Sequence, residues 1–116
     1  MQKIPLLLAL MTIMLFSACS KKSNPGKTVK VIPTTYTIDM VPFLQAKCSP
    51  CHLPSKGGFK ANFENYESAK KMAADMLTRV SLNPGDRGFM PFKHAKLAVE
   101  EIALIKKWVD GGLLEK

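Results

Sequence analysis

Five consecutive residues pose the chemical question: Cys48-Ser49-Pro50-Cys51-His52. Two thiols three positions apart, followed at once by an imidazole, admit four chemistries. A disulfide would close so tight a ring that it would staple little of the chain. A thioredoxin-like redox pair needs a βαβ context, and no part of the sequence reads that way. A zinc site could draw on Cys48, Cys51, His52 and His94, but it would have to use an adjacent Cys–His pair, which strains ligand geometry, and a second pair is missing. The fourth chemistry uses every residue of the motif. Two thiols at this spacing can add across the two vinyl groups of one haem, and the adjacent His then lies beneath the iron as its proximal ligand.

A haem held this way usually takes a second axial ligand, and a thioether raises the potential where a second His would lower it. Outside the first 18 residues the methionines are Met40, Met72, Met76 and Met90. Met72 and Met76 fall on the apolar stripe of a helix, and Met40 precedes the haem motif in another helix, so all three read as core. Met90 lies in Pro84-Gly85-Asp86-Arg87-Gly88-Phe89-Met90-Pro91-Phe92, a loop that can bring its sulfur to an open iron face. Met90 is the expected distal ligand. The alternatives are His94 and no protein ligand.

Three helices are expected to position these groups. The first covers about residues 37–47 and runs into the motif, beginning close to Pro42 because proline is tolerated in a first turn. Its inner face is Ile38, Val41, Phe43 and Leu44. The second covers about 66–82, with Ala69, Met72, Ala73, Met76, Leu77 and Val80 at spacings of three and four, Asn65 as its cap and Asn83-Pro84-Gly85 as its stop. The third covers about 98–110, with Ile102, Ile105, Trp108 and Val109 inward and Gly111-Gly112 at its end. Glu100 and Glu101 near its start and Lys106 and Lys107 near its end suit the helix dipole. An ordered part of about 80 residues is marginal without a staple, and a covalently bound haem would supply one.

The start of the chain reads differently. Lys3, an apolar run from Leu6 to Phe16 and the small residues Ser17 and Ala18 form a secretory signal layout over residues 1–18. The run is short for a membrane span, which needs about 20 residues. Phe16-Ser17-Ala18-Cys19 resembles the lipobox of bacterial lipoproteins, which implies lipidation of Cys19 and an anchor in a membrane. The alternatives are an uncleaved anchor helix and a Cys19 that leaves with the signal peptide. Residues 19–35 read as the lipidated Cys and a flexible tether rich in Ser, Asn, Pro, Gly and Lys. Within it, Val29-Lys30-Val31-Ile32 could pair as a strand, though nothing obvious offers an edge.

The 116-residue chain carries a net charge of +8. Cleavage before Cys19 would leave 98 residues and 16 basic against 9 acidic side chains, a net charge of +7. Lys21, Lys22, Lys27 and Lys30 place part of that charge in the tether. A basic surface suits anionic lipid or an acidic protein, and export argues against nucleic acid.

From about Val41 to Leu114 the sequence resembles the small cytochrome c domain found in many bacterial exported proteins. An apolar helix leads into CxxCH, Gly57-Gly58 follows, and then Asn65-Tyr66-Glu67. Pro84-Gly85-Asp86 precedes Met90-Pro91. The end is Glu101-Ile102, Ile105, Trp108-Val109 and Gly112. The resemblance implies an all-α fold, a small bundle of about three main helices around one covalently bound haem, filling residues 36–116. It implies thioethers at Cys48 and Cys51, proximal His52 and distal Met90. It implies haem c as the cofactor and one-electron transfer with a redox protein partner at the cell envelope, with no catalytic residue. The alternative function is a haem-based sensor or ligand-binding module with a labile distal ligand. Ala98 stands where members often have a capping Ser or Thr, a difference worth about 1 kcal/mol. Trp108 is expected in the core near the haem, with a propionate hydrogen bond as the minority reading. Arg87 is expected as a solvated loop charge, a propionate pair being the alternative. Lys47 and Lys56 flank the motif, as solvated charge or as a rim for an acidic partner.

Overall fold

Thr35 starts the helical part of the chain. Its hydroxyl accepts from the Ile38 N–H at 3.4 Å, while its own N–H donates to the Asp39 carboxylate at 2.7 Å. The turn this sets, Tyr36–Met40, is a wide π-type turn in which the Val41 N–H reaches back to the Tyr36 carbonyl. Helix α1, Val41–Lys47, continues it directly. Pro42 has no N–H to extend the ladder, and the widened turn before it accommodates that gap. Helical structure therefore begins at Tyr36 rather than near Pro42. The wide turn also advances fewer degrees per residue than an α-helix. Tyr36 and Met40 turn inward as a result, and Ile38, expected on the inner face, is 73 % exposed.

The computed structural model describes residues 30–116. The signal segment, Cys19 and the tether as far as residue 29 lie outside the described residues. The chain divides into two units, Met1–Lys30 and Val31–Lys116, and the second contains every element described. It is helical, with no strand among the described residues. Val31 and Ile32 are exposed and form no ladder. After α1 come a 3-10 turn at Pro54–Lys56, then α2, Tyr66–Ser81, and α3, Val99–Asp110.

Helix α2 begins where Asn65 Oδ1 accepts from the Ser68 N–H at 3.0 Å, and it buries Ala69, Ala73, Met76 and Val80. Ala69 and Ala73 are small enough for a neighbouring helix to come close, and α3 packs against this helix. Helix α3 also packs against the Tyr36–Met40 turn. Its start lacks a capping hydroxyl at Ala98, but the Glu101 carboxylate accepts from the Ala98 N–H at 2.9 Å and supplies half of a capping box. Gly112, at φ +89°, lets the chain leave α3 in a left-handed conformation.

The tail beyond α3 ties the elements together. The Leu114 carbonyl accepts from the Tyr36 N–H at 2.8 Å and from Trp108 Nε1 at 3.0 Å, and the Leu113 carbonyl accepts from the Tyr66 hydroxyl at 2.8 Å. Trp108 is fully buried, with the Tyr36 ring 5.9 Å away. Its indole N–H is already held by the chain's own backbone, so Trp108 is a core residue, and the minority reading of it as a hydrogen-bond donor to a bound group has no free N–H behind it.

Candidate functional site

The backbone around the CxxCH motif folds into a closed loop. Cys48, which caps α1, accepts from the His52 N–H at 3.1 Å, and the Pro50 carbonyl accepts from Leu53 at 3.0 Å. The Cys51 carbonyl accepts from Lys60 at 3.0 Å, and the His52 carbonyl from Phe63 at 2.9 Å. The returning strand of this loop passes so close that a Cβ at Gly58 would lie 2.2 Å from the Pro50 carbonyl oxygen and 2.7 Å from that of Cys51. Only glycine permits that approach. Farther along, Ser55 donates both its N–H and its hydroxyl to the Glu64 carboxylate. Those two hydrogen bonds hold the Glu64 carboxyl below the usual carboxylate range.

His52 is fixed on two sides. Its Nδ1 lies 2.9 Å from the Ala61 carbonyl oxygen, and because a carbonyl can only accept, Nδ1 carries the proton. Nε2 is then the ring's bare lone pair, which is the atom a metal would take. The Phe63 ring stacks on the imidazole with centroids 4.3 Å apart and planes 6° from parallel. Phe63 is in turn held from behind, since its carbonyl accepts from the buried Tyr36 hydroxyl at 2.8 Å.

Beside this loop lies a cavity of about 500 Å³. Cys48, Cys51 and His52 line one part of it, and Met90, His94 and Ile105 are also on its walls. Phe43, Leu97, Met72 and Met76 make most of the remaining surface apolar. The volume falls in the range of pockets that enclose a sizeable cofactor, roughly 300–1,000 Å³. The cysteine sulfurs are not bonded to each other. Burial pushes the Cys48 thiol up to about 11, so it is a neutral thiol at pH 7, while Cys51 is exposed. No three or more His, Cys, Asp or Glu side chains converge as a metal site among the described residues, which leaves the zinc alternative without a ligand set. A smaller hollow of about 250 Å³, beside Tyr36, Leu53 and Glu64, has no cysteine, histidine or methionine on its walls.

Met90 arrives on its loop in a half-buried position. Its N–H donates to the Arg79 carbonyl at 3.2 Å, and the Arg79 guanidinium reaches the Gly88 carbonyl at 3.5 Å. Arg79 also pairs with Asp75 at 2.6 Å, one turn back along α2. The turn before it is closed by Asn83 and Asp86, with the Asp86 carboxylate accepting from the Asn83 N–H at 2.8 Å.

The structure thus brings Cys48, Cys51, His52 and Met90 to one cavity, which His94 also lines, while Cys19 lies outside the described residues. Met72 and Met76 belong to the helix stripe as expected, and they face the cavity as well as the core. Lys47 is not a free rim charge, because it pairs with Glu101 at 2.6 Å. Arg87 is exposed and does not line the cavity, whereas Arg79 does. Sequence reading missed Arg79 because an Asp and an Arg four residues apart on a helix look like an ordinary surface pair. It missed Phe63 because a stacking partner supplied by a loop has no periodicity to reveal it.

No family model matches the chain, and no curated protein or solved structure matches it.

Proposed function

We propose that this chain is a one-electron carrier of the small cytochrome c type, using a single haem c with His52 as proximal and Met90 as distal ligand. The observation that supports it most is the shared cavity. An apolar space of about 500 Å³ has CxxCH on one part of its wall and a loop methionine on another. The residues fit the group. The apolar walls suit a macrocycle, the imidazole is held in the tautomer that leaves Nε2 bare, and the two thiols are unbridged.

Each residue then has a defined task. Cys48 and Cys51 would hold the haem as thioethers to its two vinyl groups. His52, its ring kept in place by Ala61 and Phe63, would offer its Nε2 lone pair to the iron. Met90 would offer its thioether sulfur. Phe43, Leu97 and Ile105 exclude water. A haem bound there supplies reversible one-electron exchange at its iron. No side chain serves as acid, base or nucleophile in turnover, so the reading is of a carrier and not an enzyme. Its partner in this reading is a redox protein of acidic surface, met by transient docking.

The reading extends to the envelope. Residues 1–18 direct export, Cys19 is lipidated, and the tether holds the domain beside a membrane, raising the effective concentration near partners. Among the described residues no helix is long and apolar enough to cross a membrane; the anchor in this reading is the lipid that the lipobox resemblance implies at Cys19. Cys19→Ala should move the protein from the membrane fraction to the soluble fraction. Its retention on the membrane would refute the anchor.

The test of the carrier is optical. Expressed with a working haem-maturation system, the reduced protein should show sharp c-type bands, and the oxidised protein a weak near-infrared sulfur-to-iron band. Absence of haem would sink the proposal. Met90→Ala should remove the near-infrared band and leave the covalent haem in place, and a persisting band would exclude Met90 as ligand. The half-buried, loop-borne position of Met90 favours one second reading, a haem sensor whose distal ligand leaves. Ready carbon monoxide binding by the unmutated protein would support it over the carrier.

A further inference from the structure

Both groups that orient the His52 ring come from one short stretch of chain. The Ala61 carbonyl accepts from Nδ1 at 2.9 Å, and the Phe63 ring stacks on the imidazole 6° from parallel. The stretch is tied to the motif itself. Lys60 donates its N–H to the Cys51 carbonyl at 3.0 Å, and Phe63 donates its N–H to the His52 carbonyl at 2.9 Å. Glu64 bonds back to Asn62 and Ser55. All of these bonds stay within the loop from Cys48 to Glu64. Among the described residues, a single hydrogen bond reaches residues 60–64 from outside that loop. In it the Tyr36 hydroxyl donates to the Phe63 carbonyl at 2.8 Å.

Tyr36 is fixed from elsewhere. It is 5 % exposed. Its N–H donates to the Leu114 carbonyl at 2.8 Å, and its ring centroid lies 5.5 Å from that of Tyr66 and 5.9 Å from that of Trp108. Those partners belong to α2, α3 and the tail, so the hydroxyl takes its position from the core and not from the loop. Burial, and after it the Glu64 and Glu115 carboxylates, hold the hydroxyl above its ordinary range, so it stays a donor. Tyr66 supplies the comparison. Its hydroxyl makes a bond of the same length to the Leu113 carbonyl in the tail, with no link to the loop. Outer partners commonly fix the ring of a metal-binding histidine, and here the place of those partners depends on Tyr36.

We propose that Tyr36 is a positioning residue for His52: acting through the Phe63 carbonyl, its hydroxyl sets the plane of the imidazole that would meet the iron. Tyr36 does not line the main cavity, so its influence passes through Phe63. Losing the hydroxyl leaves the Phe63 carbonyl without its donor. The stretch is then free to shift, and both of its contacts to the ring shift with it. This deepens the carrier reading and rests on it, because the plane of the ring has a consequence only where a haem is bound.

The experiment uses the haem-loaded protein, with its absorbance spectrum recorded first. Tyr36→Phe removes the hydroxyl and keeps the ring, and Tyr66→Phe does the same at the comparison site. Nuclear magnetic resonance reads His52 in two ways. In the ferric protein the haem-methyl proton shifts follow the plane of the axial imidazole. In the ferrous protein, exchange of the His52 Nδ1 proton with solvent follows the bond to Ala61. Tyr36→Phe should rearrange the methyl shifts and speed the exchange several-fold, with the near-infrared band unchanged because Met90 stays in place. Tyr66→Phe should leave both readouts as in the wild type, even where its loss of thermal stability is the same. Equal changes in the two variants would overturn the proposal and leave the carrier standing. So would a Tyr36→Phe protein with wild-type shifts and exchange. If Tyr36→Phe does not fold, Tyr66→Phe grown on fluorotyrosine carries a stronger donor at Tyr36 alone, since the chain has 2 tyrosines. It should exchange the Nδ1 proton more slowly than the same variant with ordinary tyrosine, and an unchanged rate would overturn the proposal. A sample without haem would remove the carrier reading and this proposal with it.

Discussion

The two sides of the cavity are built to different standards. The loop from Cys48 to Phe63 is closed by a ladder of backbone hydrogen bonds, by the close approach at Gly58 and by a ring stacked on His52. The loop carrying Met90 is folded on itself by turns from Asn83 to Asp86, Asp86 to Phe89 and Pro91 to His94 and buries Phe89, while Met90 itself is tied to α2 through Arg79, by a backbone bond and a long guanidinium contact to Gly88. The first loop is cross-linked along its length around His52, and the second meets α2 near Met90 chiefly at Arg79. The lesson concerns the two axial ligands proposed here. The His52 ring is held directly, by Ala61 at Nδ1 and by the Phe63 stack, whereas Met90 is held through its backbone, by the bond to Arg79.

The largest break in that comparison comes from two phenylalanines. Phe63 is 7 % exposed and Phe92 is 67 % exposed. Phe63→Ala should cost about 3–5 kcal/mol, since it empties a packed site and removes the stack on His52. Phe92→Ala should change stability by no more than about 0.5 kcal/mol. Urea unfolding of both variants measures the difference, and similar costs would mean that the two sides are equally braced.

Gly58 tests the same contrast at the backbone. Gly58→Ala should cost about 1–3 kcal/mol, the usual scale of forced overpacking, because the new Cβ meets the carbonyl oxygens of Pro50 and Cys51, which cannot move aside alone. At Gly88, on the other loop, the nearest atom to a new Cβ is the tip of the Arg79 side chain at 3.1 Å, which can swing away. The cost there should be smaller, about 1 kcal/mol from the left-handed backbone. The ratio of haem incorporated by the two variants gives a second readout, with Gly58→Ala the poorer.

Which of these features could be read from the sequence follows from how local their causes are. Helices α2 and α3 were legible because their apolar residues recur at the helical period, and the Asn65 cap and Gly112 stop are single-residue signals. That Cys48, Cys51 and His52 act together was legible because five consecutive residues carry them, and the structure places all three on one cavity. Ile38 was misplaced because a π-type turn shifts the inward face, and the side-chain exchange between Thr35 and Asp39 that sets the turn has no periodic signature. The C-terminal tail, the Phe63 stack and the Arg79 pin depend on residues brought together only by the finished fold. The lipobox-like stretch ending at Cys19 and the signal-like layout before it can be read in the sequence and lie outside the described residues.

Arg79 sharpens the comparison with a smaller effect. Its pair with Asp75 is exposed, so Arg79→Met should cost less than about 1 kcal/mol in global stability. The Met90 loop should nevertheless loosen. Carbon monoxide should bind the reduced haem protein faster than it binds the wild type, while the bands that report His52 stay in place. A change in global stability without faster ligand entry would mean that the Arg79 side chain does not hold the loop and that its backbone bond to Met90 suffices.

The smallest effect belongs to the bridge that links the motif to the last helix. Lys47 precedes Cys48, and its ammonium lies 2.6 Å from the Glu101 carboxylate, which also accepts from the Ala98 N–H. The Lys47 contact, and after it the Ala98 bond, hold the Glu101 carboxyl below its usual range. A group whose folded value is depressed contributes stability above its unfolded value, about 4.3 for Glu, and loses it as pH falls through the folded value. Glu101→Gln separates the two contacts, because the amide oxygen can still accept from Ala98 while the charge for Lys47 is gone. The variant should therefore be slightly less stable than the wild type at pH 7. The gap should close as pH falls below about 4, and it should narrow with added salt at pH 7 because the pair is partly exposed. Urea, which is uncharged, is the denaturant to use. A gap that persists unchanged in acid would mean that Glu101 acts only as the cap of α3 and that the proximal loop needs no ionic tie to that helix.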